Sequence, residues 1–174
     1  MRSVLIGLFI ILSATLAARD NAFTGQNQQK SFPEKCLGTW RGTMYIHKNG
    51  TIIDSVVVRF TVSETPDPDV YGWKTEYFSE EMPGVKDYSL RLVDAANKIY
   101  IIDERNGVEL KGFVHGNKLY SVFRVESNLL TSTYEISGDN LVFEVTSGGM
   151  LDVTEEVTNY TVNVLQRVVY SKVK

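Results

Sequence analysis

From Leu37 to the C-terminus the chain alternates between apolar and polar residues, and short groups of turn residues interrupt the alternation at regular intervals. The first two runs, 37–47 and 51–64, meet at Lys48-Asn49-Gly50. Asn-Gly favours a type I′ hairpin turn, which needs a positive φ at both central residues. Pro66 and Pro68 end the second run because proline cannot donate to a strand ladder. Further runs cover 70–79, 85–94, 98–104, 108–115, 118–126, 129–137 and 140–148, followed by a looser loop and a long final run, 157–173. This pattern predicts ten strands and no helix. The connections are too short for parallel crossovers, so sequence neighbours pair antiparallel as a meander. Closing such a meander removes both exposed edges. The fold class expected is therefore all-β: one antiparallel up-and-down barrel of about ten strands. A two-sheet sandwich is the rival, but the middle of the chain has no long connection for its crossings.

The parity of the alternation gives an inner face. It carries Trp40, Met44 and Ile46, then Val56, Val58, Phe60 and Val62. Tyr71, Trp73, Thr75 and Tyr77 follow, then Tyr88, Leu90 and Leu92. Ser121, Phe123 and Val125 continue it, with Ser132, Tyr134, Phe143, Val162, Val164 and Gln166. The face is apolar and aromatic, with scattered hydroxyls. Ten strands make a bore wider than side chains alone just fill. A cavity for a small, mostly apolar molecule is expected, lined by Trp73, Tyr77, Tyr88, Ser121, Phe123, Ser132, Tyr134 and Phe143. Ser121 and Ser132 would orient one polar group. By this parity no cation falls on the inner face, and Arg59, Arg91 and Arg124 face solvent.

The N-terminus reads differently. Arg2, the apolar run Val4–Leu12 and the small residues up to Ala17 have the form of a signal peptide over 1–17, too short for a stable membrane span. Residues 18–36 are polar and aperiodic and read as a flexible leader, so the domain would span 37–174. The expected product is a soluble exported protein, periplasmic or secreted. The lone Cys36 excludes an internal disulfide and reads as a small buried hydrophobe. The net charge is −3 and basic residues do not cluster, so nucleic acid is not an expected partner.

Gly38-Thr39-Trp40, within "LGTWRG", resembles the Gly-x-Trp opening of the calycin superfamily: lipocalins, fatty-acid-binding proteins and nitrobindin-like barrels. The resemblance implies that Trp40 closes one end of the barrel and that a cation from the last strand, here Arg167, packs across it. Ten strands fit the fatty-acid-binding and nitrobindin-like branches better than the eight-stranded lipocalins. The chain is also similar to small exported bacterial members of unassigned activity. Nitrobindin's haem-ligating histidine lies near its last strand, and residues 157–174 contain no histidine, so neither haem nor any other cofactor is carried over.

Little else points to chemistry. His47 and His115 flank separate turns, and neither Asp67/Asp69 nor Glu80/Glu81 forms a ladder of calcium ligands, so no metal is expected. Two other function classes remain open beside a ligand carrier. An isomerase-like barrel enzyme would need a carboxylate in the cavity, with Asp54, Asp103 and Glu76 the nearest choices. A filled barrel would instead bind a protein through the loops at 65–69, 79–84 and 148–156. Asn49-Gly50-Thr51 and Asn159-Tyr160-Thr161 match the N-glycosylation pattern, which matters only in a eukaryotic host.

Overall fold

The computed structural model describes residues 30–81, 83–154 and 156–174. The segment expected to be a signal peptide and most of the expected leader lie outside these residues. Strands β1 (Gly38–Lys48), β2 (Thr51–Glu64), β3 (Val70–Phe78), β4 (Gly84–Asp94), β5 (Ile99–Asp103), β6 (Glu109–His115), β7 (Lys118–Val125), β8 (Asn128–Ser137) and β9 (Asn140–Val153) follow one another as a meander. A three-residue β10 (Thr158–Tyr160) and β11 (Val164–Lys172) complete the chain. β9 pairs with both β8 and β11, and β11 pairs with β1, which closes the barrel with every pairing antiparallel. The fold is thus a closed ten-stranded meander barrel with one extra strand. Asn49 and Gly50 hold φ of 49° and 82°, as the β1–β2 hairpin requires.

The alternation predicts a single final strand and an end to β9 near Gly148. Instead β9 runs on past the barrel wall to Val153, and β10 folds back on it as a narrow ribbon. Gly148 permits the crossing: a Cβ there would collide with the backbone oxygen of Thr161. Residues 161–163 leave strand geometry as the chain returns to the wall. Val162 therefore points outward, 66% exposed, and does not belong to the inner face. Val125 is exposed as well.

A second difference lies at the N-terminal boundary. Residues 32–36, expected within the leader, form a short helix, α1 (Phe32–Cys36), whose Phe32, Pro33 and Cys36 are buried in the core. Pro33 suits the first turn of a helix, and the Glu34 carboxylate accepts the Ser31 N–H. The Trp40 indole N–H donates to the Cys36 carbonyl at 2.7 Å, tying the helix to β1. Alternation could not reveal this element, because a single helical turn shows no period.

α1 and Trp40 plug one end of the barrel. Trp40 is buried there. The cation over its ring is Lys172, with Nζ 5.2 Å from the ring centroid, and not Arg167. The register explains the difference. Lys172 lies directly opposite Trp40, whereas Arg167 lies opposite Tyr45 and pairs with Glu144 at 3.3 Å on the outer surface. Five residues of strand separate the two cations, which reverses the face and moves the side chain about 16 Å along the wall.

Burial pushes the Cys36 thiol up to about 12, against the weaker pull of Lys172 and Lys35. The folded chain therefore keeps this proton while the unfolded chain releases it above about pH 9. The stabilisation is complete below that pH and falls above it, by about 1.4 kcal/mol per pH unit. Urea midpoints measured at pH 8 and pH 10.5 are expected to fall further for the wild type than for Cys36→Ala. Equal falls would show that the thiol titrates freely in the folded chain.

Candidate functional site

The bore has two halves. In the half next to α1, Phe60, Trp73, Tyr134, Phe143 and Tyr170 form a packed aromatic cluster. Trp73 meets Phe60 edge-on at 4.8 Å and Tyr134 edge-on at 5.0 Å, and the Tyr134 and Phe143 rings lie 4.5 Å apart at a tilt of 38°. Val58, Met44, Leu90 and Leu119 pack around these rings, each almost wholly buried. The T-shaped geometry is a favoured one for aromatic pairs. This half is filled.

The other half opens. A cavity of ≈ 370 Å³ lies against the inner faces of β11, β1, β2, β3 and β4, lined by Met44, Ile46, Asp54, Val56, Tyr77, Ser79, Glu81, Gly84, Lys86 and Gln166. That volume is within the range of small-molecule sites. The open end carries the β1–β2, β3–β4, β5–β6 and β7–β8 connections and the β9–β10 ribbon, and of these the β3–β4 loop contributes Ser79 and Glu81 to the lining. Apolar floor and charged rim together suit an amphipathic molecule. Other hollows occur at the plugged end, one of them against α1 with Lys30, Lys35 and Lys98 in its wall.

The residues expected to line the site separate between the halves. Tyr77 lines the cavity. Tyr88 stands beside it, with the Lys86 ammonium 5.9 Å from its ring. Burial pushes the hydroxyls of both tyrosines up, and the Glu104 carboxylate adds to the effect on Tyr88. Trp73, Tyr134 and Phe143 belong to the packed cluster instead. Ser121 and Ser132 are direct cross-strand partners, and both are buried. The Ser121 hydroxyl already donates to the Lys111 carbonyl at 2.7 Å, so it does not point a free group at a ligand. Phe123 is partly buried opposite Leu130.

The three arginines lie on the outer wall. Arg59 holds Glu76 through two hydrogen bonds of 2.8 Å, Arg91 pairs with Glu109 at 3.0 Å, and Arg124 is exposed. Glu76 is thus removed from any cavity role, and Asp103 caps the next turn by accepting the Arg105 N–H. Asp54 does line the cavity.

Lys86 corrects the expectation that no cation falls on the inner face. It shares the parity of Tyr88 and Leu90 and is legible from that alone. Its position at the start of β4 puts the ammonium at the rim, in reach of water, which removes the cost of burying it. Glu81 has no such signal, because the β3–β4 loop has no period that places a side chain. Of the three loops considered for a protein partner, 79–84 and 148–156 frame the mouth, while 65–69 lies at the plugged end. Among the described residues, no group of His, Cys, Asp or Glu could hold a metal ion, and no helix is long and apolar enough to cross a membrane.

No family model matches the chain, and no curated protein matches it in sequence. Solved structures do match in fold. An S-type phycobiliprotein lyase, CPES, from Guillardia theta superposes with a TM-score of 0.60 at 8% identity, over 82% of this chain and 91% of that one. The secretory abundant heat soluble protein 4 from Ramazzottius varieornatus gives 0.48 at 18% identity, over 84% and 99%. A mutant of the fluorescent protein UnaG gives 0.48 at 18% identity, over 81% and 98%. The superposition on CPES shows a shared fold, a closed antiparallel barrel.

Proposed function

We propose that this protein carries a small, mostly apolar molecule, which enters through the mouth and sits between the β11–β1–β2–β3–β4 wall and the aromatic cluster. The observation that supports it is the division of the bore: one half holds a buried aromatic cluster, and the other leaves ≈ 370 Å³ over Met44, Ile46, Val56 and Tyr77. A barrel built only for its outer surface gains nothing from that space, because missing contacts cost stability. The guanidinium groups are held on the outer wall, so a buried carboxylate would have no arginine clamp. The exported location suggested by residues 1–17, and the domain extending from about residue 31, belong to the same reading.

The test has two parts. Native mass spectrometry of protein from its own host should retain a bound molecule. A fluorescent apolar probe should bind the purified protein, and Val56→Trp, which puts an indole into the cavity, is expected to weaken it by tenfold or more, since about 1.4 kcal/mol of lost contact suffices. Probe binding unaffected by Val56→Trp would place the site elsewhere.

A second reading is favoured by one observation. Asp54 and Glu81 line the cavity with Lys86, so acid–base groups do face a bound molecule. Recovery of a chemically altered compound after incubation, with the change lost in Asp54→Asn, would favour the isomerase-like reading.

A further inference from the structure

We infer that the ligand carries a neutral group that both donates and accepts hydrogen bonds, of the carboxamide or lactam kind, and that Gln166 and Tyr77 receive it inside the open cavity. The inference rests on the ligand-carrier reading above and adds a specific polar group to the apolar body.

Gln166 interrupts an apolar stretch of the inner wall. Val164 and Val168 stand on either side of it along the same face of β11. Ile46 and Val145 are its direct partners on β1 and β9. A leucine or methionine there would continue the wall at no polar cost. The glutamine instead places a carboxamide in the lining of the cavity, half-buried, where it makes no hydrogen bond among the described residues. Tyr77 lines the same cavity from β3, and its hydroxyl also makes no hydrogen bond among the described residues. Burial pushes that hydroxyl up, so it stays protonated and able to donate.

The charged lining residues differ from these two. Asp54, Glu81 and Lys86 are exposed, and Asp54 accepts the Ser55 N–H. They keep their contact with water when the cavity fills, whereas Gln166 and Tyr77 lose it. A purely apolar molecule in this space would leave a carboxamide and a phenol unpaired, a loss that a hydrogen-bonding ligand avoids. Sites built to pair with a polar group discriminate sharply against analogues that lack it. The group is neutral, because Gln166 and Tyr77 carry no charge and Met44, Ile46 and Val56 beside them offer none. An anion would also meet Asp54 and Glu81 across the cavity, with only Lys86 to balance it. A carboxamide or lactam matches the glutamine in both directions, N–H to carbonyl, and its oxygen has a second lone pair for the Tyr77 hydroxyl.

The experiment uses naphthalene-2-carboxamide and 2-isopropylnaphthalene, which share a ring system and nearly a shape. Dissociation constants are read from naphthalene fluorescence for the wild type, Gln166→Leu and Tyr77→Phe. Following each probe across the three proteins cancels its own hydrophobicity. Each substitution is expected to weaken the carboxamide about fivefold, the worth of one net hydrogen bond, and to leave the hydrocarbon unchanged or more tightly bound. Substitutions that weaken both probes equally, or weaken neither, overturn the inference, while binding itself upholds the carrier reading. 2-Naphthoate bound as tightly as the carboxamide overturns the neutral assignment. Binding of no probe overturns both readings. Should Gln166→Leu not fold, Tyr77→Phe, which removes a single oxygen, decides by the same comparison.

Discussion

Replacing Phe60 by alanine is expected to remove about 3–5 kcal/mol of stability, the cost of emptying a large buried aromatic site. Phe60 is fully buried, and its ring lies 4.8 Å from Trp73, 5.3 Å from Tyr134 and 5.9 Å from Tyr170. Three partners lose contact at once, and the two sheet walls behind them cannot collapse inward because closure fixes the diameter of the barrel. A loss of this size is a large share of the ~5–15 kcal/mol that holds a typical domain. Urea denaturation followed by tryptophan fluorescence measures it, since Trp73 is in direct contact. A change under about 1 kcal/mol would mean that the cluster is loosely packed and that the bore is open along its whole length.

Phe32→Ala is expected to destabilise by about 3 kcal/mol, the lower end for a buried phenylalanine. The residue lies in the stretch that alternation assigns to a flexible leader, where the same change would cost nothing. It is 3% exposed, and its ring lies 6.4 Å from that of Trp73. The test therefore asks whether α1 belongs to the cooperative unit. Hydrogen exchange of the Lys35 amide, which bonds the Ser31 carbonyl, gives an independent readout. Loss of that protection at unchanged global stability would show a helix that docks on the barrel without helping to hold it.

Much of the fold is legible in the sequence because a barrel wall obeys a simple rule. Successive residues alternate in and out, and turn residues mark where the rule restarts. Asn49-Gly50 sets the first hairpin, and the short connections require antiparallel neighbours. The inner faces of β1 to β4 follow from parity alone. Lys86 obeys the same parity against the expectation that cations stay outside; at the rim of a barrel, inside is still within reach of water.

The site is less legible, for reasons that differ between residues. Ser121 sits where parity puts it, but its hydroxyl is engaged by a carbonyl on β6, a partner ten residues away that no local pattern specifies. Arg167 and Lys172 are both cations of the last strand, and only the β11–β1 register decides which one covers Trp40. Gly148 gives no sign of its role, because the atom that demands a glycine there belongs to Thr161 on the returning chain.

The sequence by itself determined the strand count of the wall, its antiparallel order and its closure. Those properties depend on local periodicity and on the cost of exposed edges, and both are written along the chain. Tertiary structure alone decided where the bore is filled and where it is empty. It also decided that a five-residue helix plugs one end. These outcomes depend on which side chains meet across the barrel, and residues facing each other there are set by register and diameter rather than by spacing in sequence.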